Sequence, residues 1–168
     1  AFSAAALGLL AAALTARAAV LDPARLSSGV FRYGSAQLEG ARVAYYRDGK
    51  TASIAVRASP GALVSIATNG KPDASIRLDP KLPPIEDEYT MTLLGALPLL
   101  LKPDARSVAN IGFGSGLTAE VLLSHSAPRV LDTIEIEPAM VEGARGFAPR
   151  VRRPFEDPRS RVHFEDAK

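Results

Sequence analysis

The sequence predicts an α/β fold in two parts, a small antiparallel β-meander followed by the first half of a Rossmann-like parallel sheet. Three observations predict it. Turn residues recur at Asp48-Gly49, Ser59-Pro60-Gly61 and Asn69-Gly70, between runs of strand-forming residues. From Ser107 onward, short apolar strands alternate with helical segments of about ten residues, the pattern of βαβ units. Gly112-Phe113-Gly114-Ser115-Gly116 falls between the first of these strands and the helix that follows it.

Ala1 to Ala16 carries no charge, and Arg17 ends the run. Sixteen helical residues span about 24 Å, less than a bilayer core of roughly 30 Å. The run reads as the tail of a transmembrane helix, as the apolar region of a signal peptide, or as a buried Ala-rich helix. Residues 1–20 therefore form a hydrophobic helix and residues 21–40 a linker. Asp22-Pro23 is a helix start or turn, and Leu26 to Gly34 a connector.

Residues 41–84 form the meander subdomain. Arg42 to Arg47, Thr51 to Arg57 and Leu63 to Thr68 are its strands, and the Pro-rich stretch Pro80 to Pro84 closes it. Residues 85–168 form the Rossmann-like part. Asp87 and Glu88 suit the first turn of a helix. Apolar residues follow at Tyr89, Leu93, Leu94, Leu97 and Leu100, and Pro98 is expected to kink the helix or end it early. Val108 to Ile111 is a strand, Leu117 to Ser126 a helix, Val130 to Ile136 a strand and Pro138 to Phe147 a helix. Arg161 to Phe164 is the third strand. The chain reads as a piece of a longer protein, since Ala1 lies within an apolar run and Glu165-Asp166-Ala167-Lys168 stops just after a strand-like segment.

Composition removes several classes of function. With no Cys there is no disulfide framework, thiolate metal site or Cys nucleophile. Two histidines, His125 and His163, make a His-rich metal site unexpected, and no metal is predicted. The net charge is +2 and the pI about 9.1, with no Trp, so nucleic acid is not an expected partner. The arginines 150, 152, 153, 159 and 161 read as a solvated loop, with acidic lipid headgroups as the alternative partner.

The chemistry gathers at the glycine turn. Gly112, Gly114 and Gly116 allow a tight bend and close approach of a ligand to bare backbone. N–H groups at the following helix start can donate to that ligand. Glu135 ends the next strand, where a carboxylate can accept hydrogen bonds from ribose hydroxyls. Asp166 lies past the third strand and either meets an adenine amino group or is a surface acid. The full G-x-G-x-x-G pattern is absent and no basic residue sits near the turn. Both facts favour an S-adenosyl nucleoside over a dinucleotide.

The order of these motifs resembles the polyamine aminopropyltransferases, the spermidine synthase family. The meander comes first, then Asp87-Glu88-Tyr89 entering Leu97-Pro98-Leu99, then Val108 to Gly116 and Ile134 to Glu137. Asp157-Pro158-Arg159 and Glu165-Asp166-Ala167 complete the series. The closest likeness is to bacterial members fused to transmembrane helices. It implies transfer of an aminopropyl group from decarboxylated S-adenosylmethionine to a polyamine such as putrescine. Gly112, Gly114, Ser115, Gly116, Glu135, Ile136, Asp166 and Ala167 would hold the nucleoside. Asp87, Tyr89 and Met91 would face the amine cleft. The resemblance also implies a bacterial inner-membrane location, with attachment through residues 1–16, a cytoplasmic enzymatic domain and a homodimer.

Some positions depart from the family pattern. Ser115 stands where the family has an Asp for the donor's ammonium, Met91 where Gln or His is usual, and Ala96 where His is frequent. The family's general-base Asp is expected beyond Lys168. Two alternatives therefore stay open: a class I S-adenosylmethionine-dependent methyltransferase, and a non-catalytic, membrane-linked domain that binds an adenosyl nucleoside or polyamine.

Overall fold

The computed structural model describes residues 2–18, 21–36 and 40–168. The chain begins with helix α1, Phe2–Ala18. Its described side chains from Ala4 to Arg17 are all exposed, which corrects the reading of this run as a buried helix. Among the described residues, no helix is long and apolar enough to cross a membrane. Asp22 caps the short helix α2, Pro23–Leu26, by accepting from the Ala24 N–H at 3.0 Å. The expected connector contains one further helical turn, α3, Val30–Tyr33.

The meander has four antiparallel strands in sequential order: β1 Arg42–Asp48, β2 Ser53–Ser59, β3 Leu63–Thr68 and β4 Lys71–Arg77. In the observed register Val56 faces Ile66, Ile66 faces Ala74 and Val64 faces Ile76. Alternation then puts these side chains, with Ile54, on one buried face.

The second part opens with α4, Glu86–Leu101, and continues as β5 Ser107–Ile111, α5 Leu117–Ser124, β6 Val130–Ile134 and α6 Pro138–Ala144. A turn of 3-10 helix, Arg145–Phe147, then α7, Arg153–Glu156, lead to β7, Ser160–His163. The strands β5, β6 and β7 pair in parallel in that order. One apolar core joins the parts. It contains Ile54, Val56, Ile66 and Ile76 of the meander with Ala139, Met140, Ala144 and Phe147 around α6. Each such fully buried large side chain contributes roughly 1.5–3 kcal/mol.

One expectation about α4 needs correction. Pro98 does not end α4. The helix runs three residues past it, and its carbonyl still accepts from the Lys102 N–H at 2.9 Å. A proline in the last turn removes one helical bond with little helix left to disrupt. The leucine stripe of α4 faces outward. Leu93, Leu94, Leu97 and Leu100 are exposed, whereas Glu88, Gly95 and Leu99 are buried. Gly95 sets this orientation: a Cβ there would lie 2.8 Å from Val121 Cβ and 2.9 Å from the Thr118 carbonyl oxygen. Only a bare backbone lets α4 and α5 approach so closely.

Four of the five arginines of the cluster are committed within the fold. Arg150 pairs with Glu88, Arg152 with Glu156, Arg153 with Glu120 and Arg159 with Asp157. Arg159 also donates to the carbonyls of His125 at 2.8 Å and Pro128 at 3.1 Å, tying its turn to the chain just beyond α5.

Strand β6 stops at Ile134, two residues earlier than expected, because side chains take over the backbone donors. Glu135 Oε1 accepts from the Glu137 N–H at 2.9 Å. Glu137 caps α6 through Ala139 N–H at 3.1 Å and reaches the β1–β2 hairpin through Thr51 N–H at 2.8 Å and Thr51 Oγ1 at 2.9 Å. Burial raises the Glu137 carboxyl pKa, but these bonds together outweigh it and hold the group below its ordinary 4.5. Its contribution is therefore complete above that value and is lost as pH falls through the lower, folded value. Glu137→Ala should destabilise the protein by about 2 kcal/mol in urea unfolding at pH 7. Glu137→Gln should flatten the loss of stability below about pH 4.5, as thermal melts across pH would show.

Candidate functional site

The glycine turn leaves β5 and enters α5 with Gly112 at φ +85°, Gly114 at +54° and Gly116 at +83°. L-residues strain in this left-handed region, so the sequence bends here because it can. The three glycines differ in surroundings. A Cβ on Gly112 or Gly114 would meet nothing within 4 Å. A Cβ on Gly116 would lie 2.9 Å from both the Phe113 ring and Val151 Cγ1. Gly112 and Gly114 thus present open backbone, while Gly116 is required by packing. Phe113 anchors the turn from behind, buried, with its ring centroid 5.4 Å from that of Phe155.

Several donors of the turn are already engaged. Gly112 N–H bonds the Ile134 carbonyl at 2.8 Å, and Gly116 N–H the Phe113 carbonyl at 2.8 Å. Phe113 N–H donates to Glu135 Oε2 at 2.8 Å. The structure thus brings Glu135 against the turn, as its spacing led one to expect. The carboxylate is buried and holds the turn and the start of the α6 loop together. Each of its oxygens keeps a second lone pair for a further donor.

A cavity of about 460 Å³ opens beside the turn. Gly112, Phe113, Gly114 and Ser115 form one wall, β5 with Asn110 and Ile111 another, and α4 with Met91 and Leu94 a third. Met91 is placed there by the close α4–α5 contact. Its carbonyl accepts from Thr118 Oγ1 at 3.2 Å, and its sulfur lies 3.1 Å from Ser115 Oγ. Ser115 is buried and also accepts from Leu117 N–H at 3.3 Å. Its hydroxyl is turned toward the protein and carries no charge.

Of the residues singled out from sequence, Gly112, Gly114, Ser115 and Met91 line this cavity, and Gly116 and Glu135 support it. Asp87 and Tyr89 are exposed on α4 and lie outside its lining. Ile136, Asp166 and Ala167 are exposed and outside it too, and Asp166 Oδ1 accepts from Lys168 N–H at 3.2 Å. Sequence reasoning missed Asp73, which reaches the cavity from β4. Its only signal was a lone acid at the start of a strand beside Pro72. Among the described residues, no group of three or more His, Cys, Asp or Glu could hold a metal ion.

Comparison with known proteins bears on the fold and on the segment that carries the turn. Residues 86–168 match the spermine/spermidine synthase domain. The chain is 30% identical over 70 residues to a polyamine aminopropyltransferase of Alkaliphilus metalliredigens, covering 42% of this chain and 25% of that protein. It is 37% identical over 70 residues to spermidine synthase 1 of Hyoscyamus niger, covering 42% and 22%. The crystal structure of spermidine synthase from Thermotoga maritima superposes with a TM-score of 0.64 at 22% identity, covering 74% of this chain and 41% of that one. A spermidine synthase in complex with the transition-state analogue AdoDATO gives a TM-score of 0.63 at 22% identity, covering 74% and 40%. These structural likenesses establish the fold: a β-meander joined to a Rossmann-like parallel sheet. The chain spans about a quarter of the length of the curated relatives it matches.

The different surroundings of the glycines give a stability test. Gly112→Ala should cost about 1–2 kcal/mol, from backbone strain alone. Gly116→Ala adds a steric conflict with Phe113 and Val151 and should cost roughly 3 kcal/mol. Urea unfolding of the two variants would show the order, and equal costs would contradict this account of the turn.

Proposed function

We propose that this chain carries the nucleoside-binding part of an aminopropyltransferase that moves an aminopropyl group from decarboxylated S-adenosylmethionine to a polyamine such as putrescine. One observation carries the reading. The open-backbone glycine turn, pinned by Phe113 N–H to the strand-end carboxylate of Glu135, lies within the segment that matches the family. In the reaction the amine nitrogen attacks the carbon next to the sulfonium. A C–N bond forms, the C–S bond breaks with its electron pair going to sulfur, and methylthioadenosine leaves. The attacking amine must be uncharged, so a base takes its proton. The chain's own part is positioning: Gly112 and Gly114 let the nucleoside approach, Glu135 offers free lone pairs to hydroxyl donors, and Met91 with Leu94 gives the donor's alkyl chain an apolar wall.

Ser115 favours a second reading. A neutral hydroxyl beside Met91 would suit an S-adenosylmethionine methyltransferase equally well, because it supplies no dedicated counter-charge to an aminopropyl ammonium. Membrane attachment through residues 1–16, placing the enzyme at a bacterial inner membrane, belongs to the first reading. The exposed apolar helix α1 supports it.

Calorimetric titration of the full-length protein with methylthioadenosine tests the shared premise. Binding in the micromolar to millimolar range is expected, and its absence at millimolar concentration would overturn the nucleoside site. Incubation with decarboxylated S-adenosylmethionine and putrescine should then yield spermidine by mass spectrometry. A methylated amine formed from S-adenosylmethionine, with no spermidine, would assign methyl transfer instead.

A further inference from the structure

The cavity beside the glycine turn is lined mostly by apolar and neutral groups, with one exception. Met91, Leu94, Pro98 and Ile111 are apolar, Asn110, Ser115 and Thr118 are neutral, and the single ionisable lining residue among the described ones is Asp73. A carboxylate beside an apolar hollow makes a cation its favoured partner there. From the protein, that cation is Lys71, two residues away on β4, whose Nζ lies 3.6 Å from Asp73 Oδ1. Lys71 does not line this cavity. It faces a neighbouring hollow of about 520 Å³, whose lining Asp73 shares, so the carboxylate stands on the partition between the two. The pair is solvated, with the Lys71 side chain 57% exposed and that of Asp73 27%, and it contributes little to stability. A ligand cation arriving from the glycine-turn side can therefore replace or join the lysine at small cost.

We propose that Asp73 is the charge-selecting residue of this cavity, receiving a ligand ammonium group and disfavouring a donor that bears a carboxylate. The inference rests on the adenosyl-nucleoside reading and sharpens it. Methylthioadenosine is neutral there. S-adenosylmethionine brings an ammonium and a carboxylate on the same carbon, and the carboxylate would meet the like charge of Asp73. Decarboxylated S-adenosylmethionine brings only positive charge, as does a diamine. A cavity with one acid, no lining cation and an apolar wall for a short alkyl chain fits the last two ligands best.

The test is a titration of the full-length protein with all three nucleosides, for wild type, Asp73→Asn and Lys71→Met. Wild type should bind decarboxylated S-adenosylmethionine more tightly than S-adenosylmethionine. Asp73→Asn should weaken the decarboxylated donor about tenfold, narrow its advantage over S-adenosylmethionine, and leave methylthioadenosine within about twofold. Lys71→Met, which removes the competing cation, should tighten the decarboxylated donor two- to threefold, an effect that vanishes in high salt. Equal weakening of all three nucleosides by Asp73→Asn, or no change in any, would overturn the charge-selecting role while the nucleoside site stands. If wild type fails to bind methylthioadenosine, the underlying reading falls, and this inference falls with it. A variant that misfolds would show in its circular dichroism. Lys71→Met then decides alone, and an unchanged affinity for the decarboxylated donor would count against the proposal.

Discussion

Everything near the glycine turn depends on how one buried carboxylate is satisfied. Glu88, in the first turn of α4, is only 3% exposed. It accepts from Arg150 Nη2 at 2.9 Å and from the Arg77 N–H at 2.9 Å, while Arg150 Nη1 donates to the Arg77 carbonyl at 2.7 Å. A buried ion pair has a large desolvation penalty and becomes tolerable only when its remaining lone pairs and protons find partners. Here the backbone at the end of β4 supplies them. The outcome is geometric rather than a gain in stability. The last residue of the meander, the start of α4 and the loop after α6 are held at one point. From that point α4 runs along α5 at glycine distance and delivers Met91 to Ser115.

A second carboxylate does the same on the other side. Glu135 joins the turn to the β6–α6 loop through two backbone N–H groups, and Glu137 carries the connection on to the hairpin at Thr51. The nucleoside reading needs a turn that keeps left-handed φ at three positions without a ligand to stabilise it. The acids supply that rigidity, and the open faces of Gly112 and Gly114 are what remains for a ligand. Glu135, read from the sequence as a ligand, is thus a brace in the fold, and each of its oxygens keeps one lone pair besides.

The sequence was informative wherever local chemistry decides the conformation. The glycine turn, the hairpin at Asp48-Gly49, the proline starting α6 and the strand–helix alternation are written in residue types that permit little else. Glu135 was readable because distance along a βαβ unit fixes which strand end it reaches. The sequence was silent where tertiary partners decide. Nothing local says that the exposed-looking Glu88 is buried, that the leucines of α4 face outward, or that the arginines of 150–159 are paired within the fold. Gly95 is the clearest case. An isolated glycine in a helix reads as a weakness, and only the approach of α5 explains it.

Asp73 extends the same reasoning to specificity. The segment that matches the family begins at residue 86, so the meander wall of the cavity lies outside it. In a meander, the inward positions of each strand are constrained by the core, as Ala74 and Ile76 are on β4. Asp73 precedes them on the exposed side, at the start of an edge strand interrupted by Pro72, where pairing imposes little. A residue there can change its charge without disturbing the fold. The wall formed by the glycine turn, bound up with left-handed backbone and buried acids, cannot. On the proposed reading, a fold built this way keeps its binding chemistry on the Rossmann side and leaves the choice among charged ligands to the meander.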